Sequence, residues 1–242
     1  MAKLNLGLPI WALAPFSRWR RRQVARRFLT LMSPIPPGAT LLDVGGPGMA
    51  TALVAARFQN VIVANISEEA LRPGHLAAAD AFRRLLGDGC ALPLGENSVD
   101  FVFSDNVIEH ICEESRESFV NELRRVAARG FLITTPNYWF PFEPHYHMPL
   151  FQYLPGAARG RLLRHARFGF VDDAGETIKL LSRRDLRRLL PEAVVSGIGF
   201  TPYPETLVAS WRRREAPETS SDRRDGPALL AASAGRRAVP PG

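Results

Sequence analysis

The sequence predicts a three-layer α/β/α fold built around a mostly parallel β-sheet. Short aliphatic and β-branched runs alternate with longer helical runs, and this alternation is typical of strands joined by right-handed helical crossovers. A glycine-rich turn, "GGPG", follows directly on the first of these strands. The 242 residues, 46% of them hydrophobic, are enough to bury one large core of this kind.

The first half of the predicted domain is a series of short strands and helices. "TLLDVG" is a buried aliphatic run that ends on a glycine, "MATALVAARF" is an alanine-rich helix, and "NVIVAN" is short and β-branched. Ser67 is the expected N-cap of a helix that begins with "SEEAL". These segments span 39–45, 49–58, 60–65 and 67–71, and a weaker strand is expected at 82–87.

The second half continues the alternation around an unusual stretch. "SVDFVFS" and "GFLITT" read as strands on either side of a helix, and "SRRDLRRLLP" reads as a capped helix before two short strands. These elements are expected at 98–104, 113–128, 130–135, 182–191, 193–198 and 205–211. Between them, "PNYWFPFEPHYHMPLFQYLP" holds five prolines and seven aromatic side chains. That composition excludes a regular helix and a disordered linker, so an ordered insertion over a site is expected at about 136–176.

Positive charge is concentrated at the two ends of the chain. The net charge is +7; residues 1–38 supply +7, residues 212–242 supply +3, and the middle segment, 39–211, carries −3. The basic character therefore gives no reason to expect nucleic acid as a partner of the central domain. We predict a basic N-terminal helical segment at 1–38, one domain at 39–211 and a disordered tail at 212–242.

The basic N-terminal segment has two interpretations, and both can hold. As a helix it places arginines on one side and apolar residues roughly opposite; these are Arg18, Arg22 and Arg26, and Val24, Phe28 and Leu31. In one interpretation the helix packs on the domain as a lid. In the other it lies on an anionic membrane surface with its aromatic residues, which are Trp11, Phe16 and Trp19.

The sequence favours a cytoplasmic location, peripheral to a membrane if the second interpretation holds. No apolar run approaches the roughly 20 residues of a membrane span, and the N-terminus lacks the features of a signal peptide. The two cysteines, Cys90 and Cys112, lack the spacing of a metal site and fit a reducing compartment.

The glycine-rich turn predicts a ligand site at the carboxyl end of the first strand. Open parallel sheets bind ligands beyond the ends of their strands, and glycine lets the backbone turn tightly and approach a ligand. The next helix offers unpaired N–H groups to a polar group. The spacing of Gly45, Gly46 and Gly48 fits the dinucleotide pattern G-x-G-x-x-G poorly, which disfavours an NAD-dependent oxidoreductase.

Four segments in order resemble the class I S-adenosylmethionine-dependent methyltransferases, of the small-molecule, type 11-like kind. They are "LLDVGGPG", "VIVANIS", "GDGCALPLGENSVDFVFSDNVIEHI" and "ELRRVAARGFLITTPN", within about 39–137. The resemblance implies a Rossmann-like, seven-stranded sheet whose last two strands form an antiparallel edge hairpin. It implies S-adenosylmethionine as cofactor and methyl transfer to a small or medium acceptor, such as a hydroxyl on a sugar, lipid-linked or ring-containing metabolite. The alternative is a non-catalytic binding module of the same fold with weakened cofactor affinity.

The resemblance also implies a set of cofactor-binding residues. At the methionine end these are Asp43, Gly45, Gly46, Gly48, Asp105 and Asn106. At the ribose and adenine end they are Asn65, Asp88, Gly89 and Cys90. Asn65 departs from the family, which usually has an acid there to accept from both ribose hydroxyls, and an amide forms a weaker bond. Pro47 departs too, because a glycine is common at its position, and both departures favour the binding-module alternative.

Histidines in the aromatic insertion are the candidate catalytic residues. His145 and His147 flank Tyr146, and in an extended segment side chains two residues apart face the same side. We therefore predict that both face the acceptor and that one is a general base for a hydroxyl, with His110 as the next candidate. No metal site is predicted, because apart from Glu143 no further ligands stand at a suitable spacing.

Overall fold

A computed structural model of the chain describes residues 4–5, 10–72, 82–167 and 178–213. The strands are β1 (Leu4–Asn5), β2 (Thr40–Val44), β3 (Asn60–Asn65), β4 (Arg83–Leu86), β5 (Val99–Asp105), β6 (Ala127–Pro136), β7 (Phe142–Glu143), β8 (Met148–Pro149), β9 (Ala166–Arg167), β10 (Val194–Ile198) and β11 (Thr206–Arg212). The α-helices are α1 (Ile10–Met32), α2 (Met49–Ala55), α3 (Arg116–Val126), α4 (Gly156–His165) and α5 (Arg183–Leu189). The predicted tail, apart from its first two residues, lies outside the described residues.

The main sheet has seven strands in the order β10-β11-β6-β5-β2-β3-β4. The five strands from β6 to β4 are parallel, while β11 pairs antiparallel with both β6 and β10. The predicted fold, including the antiparallel edge hairpin, is therefore confirmed. All five parallel strands end at one edge, here called the carboxyl edge. Thr206 of β11 pairs with Pro136 and with Ile198, so both antiparallel strands also reach this edge.

Two local predictions near helix starts have opposite outcomes. The helix expected from Ser67 is wrong: residues 68–72 form turns, in which Leu71 N donates to Glu68 O at 3.1 Å. A proline follows at 73, and the residue before a proline disfavours helical backbone. The capped helix after Ser182 is confirmed, because the Ser182 hydroxyl accepts from Asp185 N in a capping box.

Helix α1 is an integral part of the hydrophobic core. Its residues Val24, Phe28 and Met32 are fully buried, and the Phe28 ring packs edge-on against Phe103 at 5.4 Å. The other face of the sheet is covered by α3 and α5. None of the helices in the described ranges is both long and apolar enough to cross a membrane.

The aromatic insertion folds as a hairpin and a helix, with 168–177 outside the described residues. Strands β7 and β8 pair antiparallel, and residues 144–147 form the turn between them. The expectation that His145 and His147 stand in an extended segment is therefore wrong. The turn reverses the chain within four residues, and His147 adopts a left-handed backbone with φ 52°, so alternation along a strand does not orient the two rings.

Candidate active site

A pocket of ≈ 450 Å³ opens at the carboxyl edge where β2 lies between β3 and β5. The chain runs from β2 outward to β4 and then returns to β5 on the other side, so this is the point where strand order reverses. Six of the predicted site residues line the pocket: Gly45, Asn65, Asp88, Gly89, Asn106 and His110. Its volume lies within the range of small-molecule sites.

The glycine turn needs its glycines for two different reasons. Gly45 has φ +89°, and a Cβ there would lie 2.3 Å from a methyl group of Val107, which lines the pocket. Gly46 has no such backbone constraint, but its Cβ would lie 1.7 Å from Asp43 Oδ2. Gly45 therefore allows the close contact with Val107 in the pocket wall, and Gly46 allows the turn to pack directly against the Asp43 carboxylate.

Asp43 lies beneath the glycine turn and supports it. Its Oδ2 accepts from the Thr51 hydroxyl at 2.6 Å, and Thr51 Oγ1 in turn accepts from Gly48 N at 3.0 Å. Burial raises the pKa of Asp43 to about 7. Asp43, Gly46 and Gly48 thus hold the shape of the turn and are not among the residues that line the pocket.

Asn65 uses its amide to hold the glycine turn from the pocket side. Its Nδ2 donates to Gly45 O at 3.1 Å and to Gly46 O at 2.9 Å, and its Oδ1 accepts from Ser67 N at 2.9 Å. A carboxylate could make only the last of these bonds. The departure from an acid at this position therefore has a structural reason in this chain.

Replacing Asn65 with aspartate is expected to weaken binding of the expected cofactor. Two hydrogen bonds would be lost, and a carboxylate would face two carbonyl oxygens. We expect this to cost about 1–3 kcal/mol of binding free energy, which corresponds to a loss of affinity of about 5- to 150-fold. Calorimetric titration with S-adenosylhomocysteine measures the effect. Asn60→Asp is the matched control, because Asn60 begins the same strand and donates to Gly38 O instead. Equal or tighter binding by Asn65→Asp would mean that residue 65 acts on the ribose alone.

Asp105 forms an ion pair with Arg20, a residue that was not among the predicted site residues. Arg20 of α1 is buried, and its Nη2 donates to Asp105 Oδ1 at 2.8 Å and to Asn106 Oδ1 at 2.5 Å. Its Nε donates to Thr206 Oγ1 at 2.9 Å. Asn106 lines the pocket, whereas Asp105 is not among the lining residues. Arg20 stands four residues before Val24, and this helical spacing places it on the buried side of α1. The same spacing in the sequence could have predicted its burial.

A buried carboxylate and a histidine meet beside the pocket. Glu109 is fully buried; its Oε2 accepts from the Thr135 hydroxyl at 2.9 Å, and its Oε1 has no hydrogen-bond partner. His145 Nε2 lies 3.9 Å from that Oε1, and His145 Nδ1 lies 2.8 Å from Glu143 Oε1. The His145 ring packs edge-on against the His110 ring at 5.0 Å, so His110 connects this cluster to the pocket.

The electrostatics of this cluster suit proton exchange near neutral pH. Burial raises the pKa of Glu109 to about 7. For His145, burial alone would lower the pKa, but the hydrogen bond and charge of Glu143, with the charge of Glu109, raise it overall. The Glu143 carboxylate can only accept, so its contact with Nδ1 favours the tautomer in which Nδ1 carries the proton and Nε2 is the basic nitrogen.

Two other predicted residues lie apart from these groups. His147 is buried and does not belong to the group of Glu109, His110 and His145, whose potential ligand atoms lie within 4.8 Å of one another. Cys90 donates its backbone N–H to Asp88 Oδ1 at 2.8 Å and does not line the pocket. It therefore fixes the turn that presents Asp88.

Comparisons with known proteins agree with this geometry. Residues 42–134 match the model of a methyltransferase domain family. An uncharacterized methyltransferase of Mycobacterium ulcerans (strain Agy99) is 38% identical over 182 residues, 73% of this chain and 66% of the relative. Another, from Mycobacterium sp. (strain JLS), is 34% identical over 154 residues, 62% of this chain and 60% of the relative. The matched part of the chain thus spans less than two thirds of the length of either relative.

Solved structures share the fold at low sequence identity. The chain resembles magnesium protoporphyrin IX methyltransferase from Synechocystis with bound S-adenosylhomocysteine, at a TM-score of 0.56 and 16% identity over 82% of this chain and 84% of that one. It also resembles geranyl diphosphate methyltransferase in complex with S-adenosylmethionine. The TM-score is 0.55 and the sequence identity 16%, over 84% of this chain and 88% of that one. At these identities the likeness establishes the fold.

Proposed function

The chain belongs to the class I S-adenosylmethionine-dependent methyltransferases by its domain at residues 42–134, and we propose that it transfers a methyl group to the hydroxyl of a small or medium acceptor. The observation that carries the proposal is the position of the ≈ 450 Å³ pocket. It lies at the reversal point of the sheet, with Gly45 and Asn65 on one side and His110 on the other. Asp88, which is exposed and lines the pocket, would accept a hydrogen bond from the adenine amino group, as the family resemblance implies.

The residues of the chain would align the reactants and remove one proton. When bound, S-adenosylmethionine supplies an electrophilic methyl carbon: the acceptor O–C bond forms as the C–S bond breaks, and the electron pair stays on sulfur. His145 Nε2 takes the hydroxyl proton, Glu143 holds the ring through Nδ1, and Glu109 stabilises the resulting imidazolium. His110, which lines the pocket and packs against the His145 ring, would help to position the acceptor hydroxyl.

The aromatic insertion would supply the acceptor side of the site. Tyr138 and Trp139, which closely follow the end of β6, form a cluster with Tyr153 in which the ring centroids lie 5.0 to 6.3 Å apart. Aromatic faces favour rings and other flat or apolar surfaces. This supports an acceptor with a ring or an apolar body next to the hydroxyl, such as a sugar, a quinone-like ring or a lipid-linked group.

The proposal is tested with S-adenosylmethionine that carries a deuterated methyl group. The protein is incubated with fractionated cell extracts, and mass spectrometry looks for a product that gains the labelled methyl together with S-adenosylhomocysteine. Transfer that also proceeds in the presence of a chelator supports His145 as the base. Loss with chelator and recovery with a divalent ion would instead assign Glu109, His110 and His145 as metal ligands. A non-catalytic binding module would form neither product.

The proposal extends to location and to contact with a membrane surface. The protein would work in the cytoplasm, with peripheral contact through the basic segment at 1–38, which contains no acidic residue. Arg18, Arg22 and Arg26 are exposed on α1, as an electrostatic contact requires. We expect the protein to sediment with anionic vesicles and added salt to release it.

A further inference from the structure

We propose that the carboxyl edge of the sheet is the membrane-facing side of the protein, so that the methyl acceptor is a lipid-borne molecule reached from an anionic bilayer. This inference rests on the proposed methyl transfer, because it assigns a class to the acceptor of that reaction. It goes beyond peripheral contact by α1, since it fixes which side of the whole domain meets the membrane.

The exposed aromatic side chains gather at that edge. Within the described residues, the exposed tryptophan, tyrosine and phenylalanine side chains are Trp11, Trp19, Trp139, Tyr153, Phe200 and Tyr203, here called the aromatic rim. Trp139 follows the end of β6 by three residues and packs on Tyr153 at 6.3 Å. Phe200 and Tyr203 lie in the loop between β10 and β11, whose paired ends Ile198 and Thr206 are at the carboxyl edge.

The direction of α1 brings its two tryptophans to the same edge. Near its end, the Met32 sulfur lies next to Gly130, close to the start of β6 and so at the opposite edge. Twelve residues earlier, Arg20 contacts Asp105 and Thr206 at the carboxyl edge. The first half of α1 therefore extends past that edge, and Trp11 and Trp19 extend with it. Phe16 stacks on Trp19 at 5.6 Å.

One face of α1 combines these aromatic residues with positive charge. Trp11, Arg18, Arg22 and Arg26 are all exposed and stand at intervals of seven, four and four residues, which places them on one face of the helix. Tryptophan next to arginine is typical of a helix that lies in a bilayer interface, with the ring at the acyl boundary and the cation at the phosphates.

A basic groove beside this face fits a lipid phosphate. The groove, of ≈ 430 Å³, lies between α1 and the end of β10; its lining includes Arg26, Arg27 and Gly199 and contains no acidic residue. Trp19 forms part of its wall, and the exposed ring of Phe200 follows Gly199 directly. An anionic headgroup in this groove would complement the charge and would hold the acyl chains beside the aromatic rim.

The first test measures binding to vesicles of phosphatidylglycerol and phosphatidylcholine against vesicles of phosphatidylcholine alone. Wild-type protein should bind the anionic vesicles, and Arg18→Glu with Arg22→Glu should weaken binding by at least about tenfold. The matched control is Arg187→Glu with Arg188→Glu on α5, where both arginines are exposed and the net charge changes equally. If both double variants lose vesicle binding equally, the attraction depends on net charge alone, and the proposal of a specific membrane-binding face is overturned.

The second test asks which tryptophans enter the bilayer. Three of the four tryptophans belong to the aromatic rim, whereas Trp211 stacks on Phe131 at 5.7 Å and is half-buried. Variants that keep a single tryptophan are mixed with anionic vesicles containing brominated lipid. Quenching of Trp11, Trp19 and Trp139 but not of Trp211 is expected. Quenching confined to Trp11 and Trp19 would show that α1 alone touches the bilayer, which overturns the orientation.

The third test separates failure of this inference from failure of the proposed reaction. Calorimetric titration with S-adenosylhomocysteine and labelled transfer into a total lipid extract, presented as vesicles, are measured on the same preparation. Label in the organic phase is the expected result. If the protein binds the cofactor but the label appears only in water-soluble products, the proposal of a lipid-borne acceptor is overturned and the proposal of methyl transfer stands. Absence of cofactor binding overturns both.

Discussion

Replacing His145 with alanine is expected to lower turnover by about 10²–10⁴-fold, or about 3–5 kcal/mol of transition-state stabilisation. The physical reason is loss of the proton acceptor, since Nε2 of this ring lies toward Glu109 and beside His110, which lines the cofactor pocket. Affinity for S-adenosylhomocysteine should barely change, because His145 does not line that pocket. Turnover and binding are therefore measured separately on the same variant.

His147→Asn is the matched control for this experiment. His147 lies outside the group of Glu109, His110 and His145, and asparagine tolerates the left-handed backbone that His147 adopts. This variant should keep turnover near that of the wild type. Near-full turnover in His145→Ala would mean that the ring is a packing residue, and His110 would become the candidate base.

The pH dependence of turnover gives the same assignment a second readout. A base must be unprotonated, so turnover should rise with pH through the pKa of His145. That pKa is raised by Glu143 and Glu109 against the effect of burial, so the midpoint should lie above the ordinary histidine value of about 6.5. Glu143→Gln removes the negative charge beside Nδ1 and should move the midpoint down. An unchanged midpoint in Glu143→Gln would argue that another group controls the profile.

Replacing Gly45 with valine is expected to reduce affinity for S-adenosylhomocysteine by at least about a hundredfold, or about 2.7 kcal/mol. Valine disfavours the φ of +89° at this position, and its Cβ would lie 2.3 Å from a Val107 methyl group in the pocket wall. The turn and the wall would both have to move into the space that the cofactor needs. Calorimetric titration measures the loss, and thermal unfolding checks that the domain still folds.

Gly48→Ala in the same turn separates this effect from any general disturbance. A Cβ at Gly48 would meet Thr51 Oγ1 at 3.7 Å, an ordinary contact, and Gly48 has φ −106°. We expect this variant to bind the cofactor within a few-fold of the wild type. Unchanged affinity in folded Gly45→Val would place the ligand elsewhere along the carboxyl edge.

The parts of the site that local sequence determines were predicted from it. Gly45 directly follows β2, and Asn65 is the last residue of β3. The pocket residues Asp88 and Asn106 stand in the segments that carry the family resemblance, so the sheet brings all four to one edge. The reason for Asn65 was not predictable. Its partners are carbonyl oxygens of a turn about twenty residues away, and a hydrogen bond between backbone and side chain leaves no mark in composition.

The parts that depend on distant segments were not predictable from local pattern. Arg20 and Asp105 are 85 residues apart in sequence, and only packing of α1 across the sheet brings them together. Glu109 and His145 meet because a hairpin turn, not an extended strand, presents the histidine. The sequence identified His145 and His110 as residue types suited to proton transfer but could not pair either with a buried carboxylate.

Calorimetric titration of S-adenosylhomocysteine into the wild-type protein tests the central claim most directly, because every further step requires this ligand in the pocket beside Gly45. The account predicts saturable binding of one molecule per chain that S-adenosylmethionine displaces and that Gly45→Val weakens by at least about a hundredfold. Absence of saturable binding by folded protein, or displacement by NAD but not by S-adenosylmethionine, would contradict it.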